Sequence, residues 1–265
     1  MTRLGAHIEG IGLLGPGLEG WIRGAALLTD SATYTPQATV LPVPDGLPPA
    51  ERRRMGRVVK LALAVGLEAT SSAAADPVTL PAVFASSGAD GNNCHEICQA
   101  LALEERQLSP TRFHNSVHNA AAGYWSIATG ATAPSNALCA FDASFTAGLL
   151  EALTQVQVHQ TRVLLVAYDA QYPPPLHVKR PIPDAFGVGF VLAPQAGAGA
   201  IAQIAVSISD APADRMSDPR FESLRKSIPA ARSLPLLYRI ARREPARVML
   251  DYLDGRTVAV EVSCS

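Results

Sequence analysis

Cysteine, histidine and aspartate side chains occur at three places where their types and spacing could support chemistry. The first is the pattern C-H-x-x-C, formed by Cys94, His95 and Cys98. Three ligands from one helical turn cannot close a tetrahedral zinc site, and no second Cys/His pair stands at ligand spacing. We therefore predict no metal and no other cofactor here, and expect these side chains to line a core or a tunnel.

His114 and His118 form the second place, because residues four apart share one face of a helix if the segment is helical. A zinc site would need a third ligand, and none is evident. A general base would need a nucleophile beside it, and none is assigned. The pair therefore predicts no catalytic role by itself.

Cys139 and Asp142 form the third place, at the junction of a predicted strand and a predicted helix. We expect Cys139 to lie inside the strand as a small buried hydrophobe, because no His–Asp arrangement that could activate it is evident. We expect Asp142 to cap the helix N-terminus or to make a buried polar contact, since aspartate is favoured at that position.

The elements that must position these residues alternate between strands and helices, which predicts an α/β sheet with helices on both faces. Strands are predicted at 7–14, 78–86, 135–141, 162–168, 186–192 and 200–208, with the last two adjacent, and a hairpin at 247–252 and 257–262 around Asp254-Gly255. Helices are predicted at 18–28, 49–69, 93–103, 118–129 and 143–158, with residues 221–242 mostly helical. Proline-rich loops are predicted at 33–49 and 171–183.

Composition limits the function classes. The chain has 265 residues, 48% of them hydrophobic and 17% charged, with a formal net charge of -1. A chain of this composition can bury a sizeable core. Its near-zero net charge gives no overall positive electrostatic potential that would attract nucleic acid. We found no signal peptide and no apolar run long enough for a membrane helix, so we expect a cytoplasmic protein that contacts neither membrane nor nucleic acid.

Five segments, taken together in order and spacing, resemble the N-terminal half of a β-ketoacyl synthase of the thiolase fold. They are GIGLLGP (10–16), RRMGRVVKLALAVGLEA (53–69), LSPTRFHNSVHNAAAGYWSIATGATAP (108–134), RVLLVAYDA (162–170) and DAFGVGFVLAP (184–194). The resemblance implies a thiolase-like half with a mixed sheet, lacking the second catalytic half. It implies one domain over residues 1–265, within which residues 195–265 form a divergent helix and hairpin.

The resemblance also assigns the active-site position. Counting forward without gaps from Asn119-Ala-Ala-Ala-Gly123, the nucleophilic cysteine of the family falls on Asp142. The two histidine motifs of the family are not found between residues 195 and 265. The chain is therefore expected to have no catalytic residues and not to be an enzyme by itself.

Two further sets of residues follow from the resemblance. In the family, the segment before the asparagine-containing helix crosses a dimer interface and reaches into the acyl tunnel of the partner. This implies tunnel or chain-length roles for Phe113, His114, His118, Cys98, Leu101 and Ala102; filling of the interface core is an equal alternative. Family dimers pair the strand before the nucleophile helix, which implies interface roles for Asn119, Gly123, Asn136, Leu138 and Ala140.

The expected function is that of a chain-length-factor-like subunit, of the short kind that accompanies aryl-polyene synthases. It would form a heterodimer with a full-length ketosynthase, shape its acyl tunnel, and meet the acyl carrier protein through that complex. Two alternatives stay open. The chain could be an acyltransferase or decarboxylase that uses Cys139 or Asp142, or a homodimeric scaffold that docks carrier protein.

Overall fold

A computed structural model describes residues 4–44 and 46–264. Positions 1–3 and 265 of the predicted domain, and position 45 of the predicted proline-rich segment, lie outside these residues. The strands are β1 (Leu4–Gly15), β2 (Leu18–Glu19), β3 (Ala82–Ala85), β4 (Ser135–Leu138), β5 (Val163–Asp169), β6 (Phe186–Ala193), β7 (Ala202–Ser209), β8 (Ala246–Asp251) and β9 (Thr257–Cys264). The α-helices are α1 (Trp21–Thr29), α2 (Pro49–Arg54), α3 (Arg57–Ser72), α4 (Gly91–Ala102), α5 (Pro110–His114), α6 (Ala120–Thr129), α7 (Ser144–His159), α8 (Pro174–Lys179), α9 (Pro219–Ser227) and α10 (Leu234–Arg242).

All strands belong to one mixed sheet, which confirms the predicted α/β class. Its order is β4-β3-β5-β6-β1-β7-β9-β8, with β2 paired to β1. The strands β4, β3 and β5 are parallel, and every other pairing is antiparallel. The prediction that segments 186–192 and 200–208 are adjacent was wrong, because β1 lies between β6 and β7.

The strand β5 separates two apolar cores and is buried along its whole length. Successive side chains of a strand point to opposite faces. Val163, Leu165 and Ala167 therefore join the core that contains α7, whereas the alternate residues join the core that contains α3. Two glycines allow α3 to lie close to β1: a Cβ at Gly10 or Gly12 would stand 2.1 or 2.0 Å from a carbonyl oxygen of the helix.

The C-terminal segment packs on the same side of the sheet as α7. Side chains of α9, α10, β8 and β9 share one apolar core with the buried face of α7. The hydroxyl of Thr146 in α7 donates to the carbonyl of Asp251 at the end of β8, at 2.7 Å. The chain's own C-terminal segment therefore covers the buried face of α7, although the resemblance implies that the second half of the family fold is lacking.

Several predicted boundaries moved. The predicted helix 49–69 is two helices, because Met55 has extended backbone angles and Gly56 precedes the start of α3. The predicted loop 171–183 contains α8, and the predicted helix 118–129 begins only at Ala120. The mostly helical segment 221–242 is α9, a 3-10 turn at Pro229–Ser233 and α10, and the hairpin around Gly255 is confirmed.

Candidate functional site

The junction between β4 and α7 is a tight turn held by Ser144. The strand ends at Leu138, and a 3-10 turn over Phe141–Ala143 leads directly into α7. The Ser144 hydroxyl donates to the carbonyl of Phe141 at 2.7 Å and accepts from the backbone N–H of Ala140 at 3.0 Å. Phe141 has φ 51°, a left-handed conformation that costs about 1–2 kcal/mol in a non-glycine residue. The sequence prediction that the strand continues to Phe141 was wrong.

Asp142 lies in this turn and faces two arginines. One carboxylate oxygen accepts from Arg180 at 2.5 Å and the other accepts from Arg232 at 3.0 Å. The Asp142 side chain is 36% exposed. Asp142 therefore makes a polar contact, but a partly exposed one rather than the buried contact that was expected. The N-cap role was wrong, because Ala143 precedes α7 and no side chain caps this helix.

Arg180 and Arg232 come from separate elements that converge on Asp142. Arg180 follows α8, and its guanidinium also lies over the Phe141 ring, 3.8 Å from the centroid. Arg232 belongs to the 3-10 turn Pro229–Ser233. A cavity of about 420 Å³ adjoins this cluster and opens onto Asp142.

Asp169, at the end of β5, is a buried carboxylate that contacts the residues after β3 and the 3-10 turn Pro229–Ser233. It accepts hydrogen bonds from the backbone N–H and hydroxyl of Ser87, at 2.9 and 2.6 Å, and from the backbone N–H of Ala230 at 2.9 Å. Burial raises the pKa of Asp169 to about 6, although these hydrogen bonds act in the opposite direction. Asp169 therefore joins the end of β3 to the turn that carries Arg232.

Cys139 and His118 both contact the end of β3. The Cys139 thiol donates to the carbonyl of Ser87 at 3.3 Å, and Nε2 of His118 lies 3.2 Å from the carbonyl of Ser86. Cys139 is exposed and lies beyond the end of β4, so its expected burial inside the strand was wrong. His114 ends α5 while His118 lies in the following turn, so the two histidines do not share a helix face.

A groove of about 460 Å³ lies between α5 and α6 and contains several predicted interface and tunnel residues. Its lining includes Phe113, His114, Val117, Asn119, Gly123 and Ile127. The Phe113 side chain is 66% exposed, and a Cβ at Gly123 would meet no atom within 4 Å. His118 does not line this groove, because it faces Ser86 instead.

The remaining predicted residues lie outside this groove, on other elements. Cys98, Leu101 and Ala102 are exposed on α4. The strand β4, which carries Asn136 and Leu138, is the outermost strand on its side of the sheet. Ala140 lies in the turn beyond it and is partly exposed.

Three residues at the site escaped the sequence reasoning. Asp169 did have a signal, because a carboxylate ends an otherwise apolar buried strand, RVLLVAYD. Arg180 and Arg232 had none, since they lie 38 and 90 residues from Asp142 along the chain. Only the packing of α8 and of the turn 229–233 brings them together.

The described residues contain neither a group of side chains suited to a metal ion nor a helix suited to crossing a membrane. Over positions 4–44 and 46–264, no three His, Cys, Asp or Glu side chains are grouped as they would need to be to hold a metal ion. In the same ranges, no helix combines the length and the apolar character that crossing a membrane requires.

The sheet, the covered helix α7 and the turn before it define a thiolase-like α/β fold, shared with ketosynthases. The family model described as the β-ketoacyl synthase N-terminal domain matches residues 28–245, and the chain belongs to this family. A search of curated proteins found no match. The assignment of residues 195–265 as a divergent part of the domain stays a prediction.

Solved structures share the fold over nearly the whole chain. One is a chain from the complex of the ketosynthase ApeO with its chain length factor ApeC from Xenorhabdus doucetiae, with 22% identity, a TM-score of 0.74, and coverage of 97% of this chain and 98% of that chain. A second is the ishigamide ketosynthase/chain length factor, with 16% identity, a TM-score of 0.72, and coverage of 98% and 99%. A third is the AntDE:AntF assembly, a type II polyketide acyl-carrier protein with its ketosynthase, with 10% identity, a TM-score of 0.80, and 100% of both chains covered.

Proposed function

We propose that this chain is a non-catalytic, chain-length-factor-like subunit that forms a heterodimer with a full-length ketosynthase and shapes its acyl tunnel. The observation that carries the proposal is Asp142. The family resemblance places it where the nucleophilic cysteine belongs, and two arginines hold its carboxylate. A carboxylate engaged in this way is a weak acyl-transfer nucleophile, and its charge opposes an oxyanion at the same place.

The surface next to this turn supports pairing with another thiolase-like chain. Within residues 4–44 and 46–264, no strand pairs with the outer edge of β4, and an exposed strand edge favours pairing. Beside it lies the groove between α5 and α6, where Phe113, Val117 and Ile127 are each more than half exposed. Apolar side chains clustered on a surface are typical of protein interfaces. The solved complexes that contain similar chains include a ketosynthase together with a chain length factor or a carrier protein. This composition supports the proposal that a carrier protein reaches this chain through the heterodimer.

The tunnel role rests on Phe113. Its ring projects from α5 into the groove that would face the partner. A bulky aromatic side chain at the end of an acyl tunnel limits chain length by volume, because packed sites resist overfilling. Cys98, Leu101 and Ala102 of α4 are the proposed floor of this tunnel.

The first test is co-expression with a full-length ketosynthase, followed by size-exclusion chromatography with mass determination. A stable one-to-one heterodimer is expected. A homodimer or monomer that does not associate with the synthase would contradict the proposal and favour the scaffold alternative. An acyl adduct on Cys139 or Asp142, detected by intact mass after incubation with an acyl carrier thioester, would establish a catalyst instead.

A further inference from the structure

The outer edge of β4 presents the backbone groups of two residues to a partner strand. The carbonyls of Pro134 and Leu138 accept hydrogen bonds from the chain of β3, at 3.1 and 3.2 Å. Backbone groups alternate in direction along a strand, so those of Asn136 also face β3. The N–H and carbonyl groups of Ser135 and Ala137 therefore point outward, where no described strand pairs with them.

The side chain of Asn136 links this edge to α7 through one carboxylate. Its Nδ2 donates to Oε1 of Glu151 at 2.9 Å, and Nε2 of Gln155 donates to the same oxygen at 2.9 Å. Both partners are uncharged amides, so the carboxylate keeps its negative charge. Among the described residues, no lysine or arginine forms an ion pair with Glu151.

Glu151 is also the one strongly charged side chain on the elements that surround this edge. The described strand β4 and the described helices α6 and α7 contain no aspartate, lysine or arginine and no other glutamate. The remaining titratable side chain that could become cationic is His159, at the C-terminus of α7. A second copy of these elements would therefore bring no lysine or arginine to neutralise Glu151.

A second copy of this chain would instead bring two such carboxylates together. A two-fold axis pairs identical edge strands antiparallel, with Ser135 and Ala137 opposite the same two residues of the copy. In each such register the two Asn136 side chains lie on the same face, either directly opposite or displaced by two residues. Their Cβ atoms are then about 4.5–5.5 Å or about 7–8 Å apart. Because each Asn136 holds a Glu151 carboxylate, a homodimer through this edge opposes two like charges.

We propose that Glu151 selects the partner at this edge. It disfavours a second copy of this chain, and it favours a thiolase-like chain that presents a lysine or an arginine against it. A cation at that position attracts the carboxylate at a partly desolvated interface, where a second carboxylate repels it. The selection rests on the proposed pairing through β4, and it defines the charge that the ketosynthase must carry there.

Charge variants of the isolated chain test the homodimer part of the proposal by sedimentation equilibrium. Glu151→Gln keeps an oxygen that can accept from both amides but removes the charge. It should self-associate about 2- to 30-fold more tightly than wild type, since two carboxylates ~8 Å apart repel by that factor between the dielectric constant of water and that of a protein surface. An equimolar mixture of wild type and Glu151→Lys should associate more tightly than either protein alone, because each pair then opposes a carboxylate and an ammonium group.

The same variants test the cation of the partner in the complex with a full-length ketosynthase. Glu151→Gln should weaken the heterodimer about three- to tenfold, and Glu151→Lys should weaken it by more than about tenfold. Asp254→Asn is the matched control, because it removes one exposed carboxylate from the turn between β8 and β9, at the far side of the sheet. Asn-Gly is also favoured in such a turn, so both associations should be unchanged in the control.

Two results would overturn the proposal. One is equal self-association of wild type, Glu151→Gln and the mixed sample, including the case in which all of them stay monomeric. The other is a heterodimer whose affinity is unchanged in Glu151→Lys. Either result, obtained while the wild-type heterodimer forms, leaves the proposed function intact. A wild-type chain that forms no heterodimer contradicts the proposed function itself, so the two failures are distinguishable.

Discussion

Asp142 and Arg232 form an ion pair of 3.0 Å that joins the start of α7 to the 3-10 turn Pro229–Ser233. Arg232 also lies 3.6 Å from Asp251 at the end of β8. The family resemblance assigns the nucleophile of the synthases to this position, whereas the Asp142 carboxylate of this chain pairs with the C-terminal segment that covers α7. The following predictions test this relationship and the surfaces around it.

Asp142→Asn should lower the free energy of unfolding by about 1–2 kcal/mol, because it leaves two largely buried arginines without their shared carboxylate. Urea denaturation at low ionic strength measures this, and the loss should shrink in 1 M NaCl as screening weakens the pairs. The matched control is Asp210→Asn, which removes an exposed pair with Arg256 and should cost less than about 0.5 kcal/mol. Equal losses in the two variants would show that Asp142 does not anchor the segment.

The pH dependence of stability should include a contribution from Asp169. Its folded-state pKa of about 6 lies above the ordinary aspartate value of about 3.9 in the unfolded chain. The folded state therefore binds this proton more tightly, so stability is gained as the pH falls through 6 and lost as it rises again. Between pH 7 and pH 5 the gain should be about 1 kcal/mol.

Asp169→Asn provides the comparison, because it cannot titrate at this position while the rest of the chain is unchanged. Chemical denaturation of both proteins at pH 7, 6 and 5 isolates the contribution as a difference. Parallel pH profiles in the two proteins would mean that Asp169 has no raised pKa.

Gly123→Arg should abolish co-purification with a ketosynthase without unfolding the chain. A Cβ here meets no atom of the described residues within 4 Å, and replacing glycine within a helix favours the helix by up to about 1 kcal/mol. Gly199→Arg is the matched control, since that glycine also has open space around it but lies between β6 and β7. Heterodimers should survive in the control and not in Gly123→Arg, as measured by size-exclusion chromatography. Retention of the heterodimer in both variants would place the interface elsewhere.

Phe113→Ala should lengthen the product made by the reconstituted pair, because it removes an aromatic side chain from the proposed tunnel end. Mass spectrometry of the released acyl or polyene chains measures this. Ile22→Ala, which shortens another exposed apolar residue, should leave product length unchanged. An unchanged product in Phe113→Ala, with the heterodimer intact, would support a scaffold role instead.

Much of the fold could be predicted because its signals are local. The apolar run 162–168 became the fully buried β5, and Asp254-Gly255 became the hairpin turn of β8 and β9. The errors came where distant contacts override local pattern. The strand 135–141 was predicted too long because its apolar residues continue, whereas Ser144 bonds to Ala140 and Phe141 and turns the chain early.

The sequence by itself determined the family resemblance and the aspartate at position 142, because both depend on the order and spacing of residues along the chain. The tertiary structure alone decided what surrounds that aspartate. Arg180 and Arg232 reach the turn from the end of a short helix and from a 3-10 turn, and Asp169 at the end of β5 bonds to the backbone of that 3-10 turn. Their convergence is set by the packing of α8 and of the turn 229–233, and residues paired over such separations leave no periodic or local pattern in the sequence.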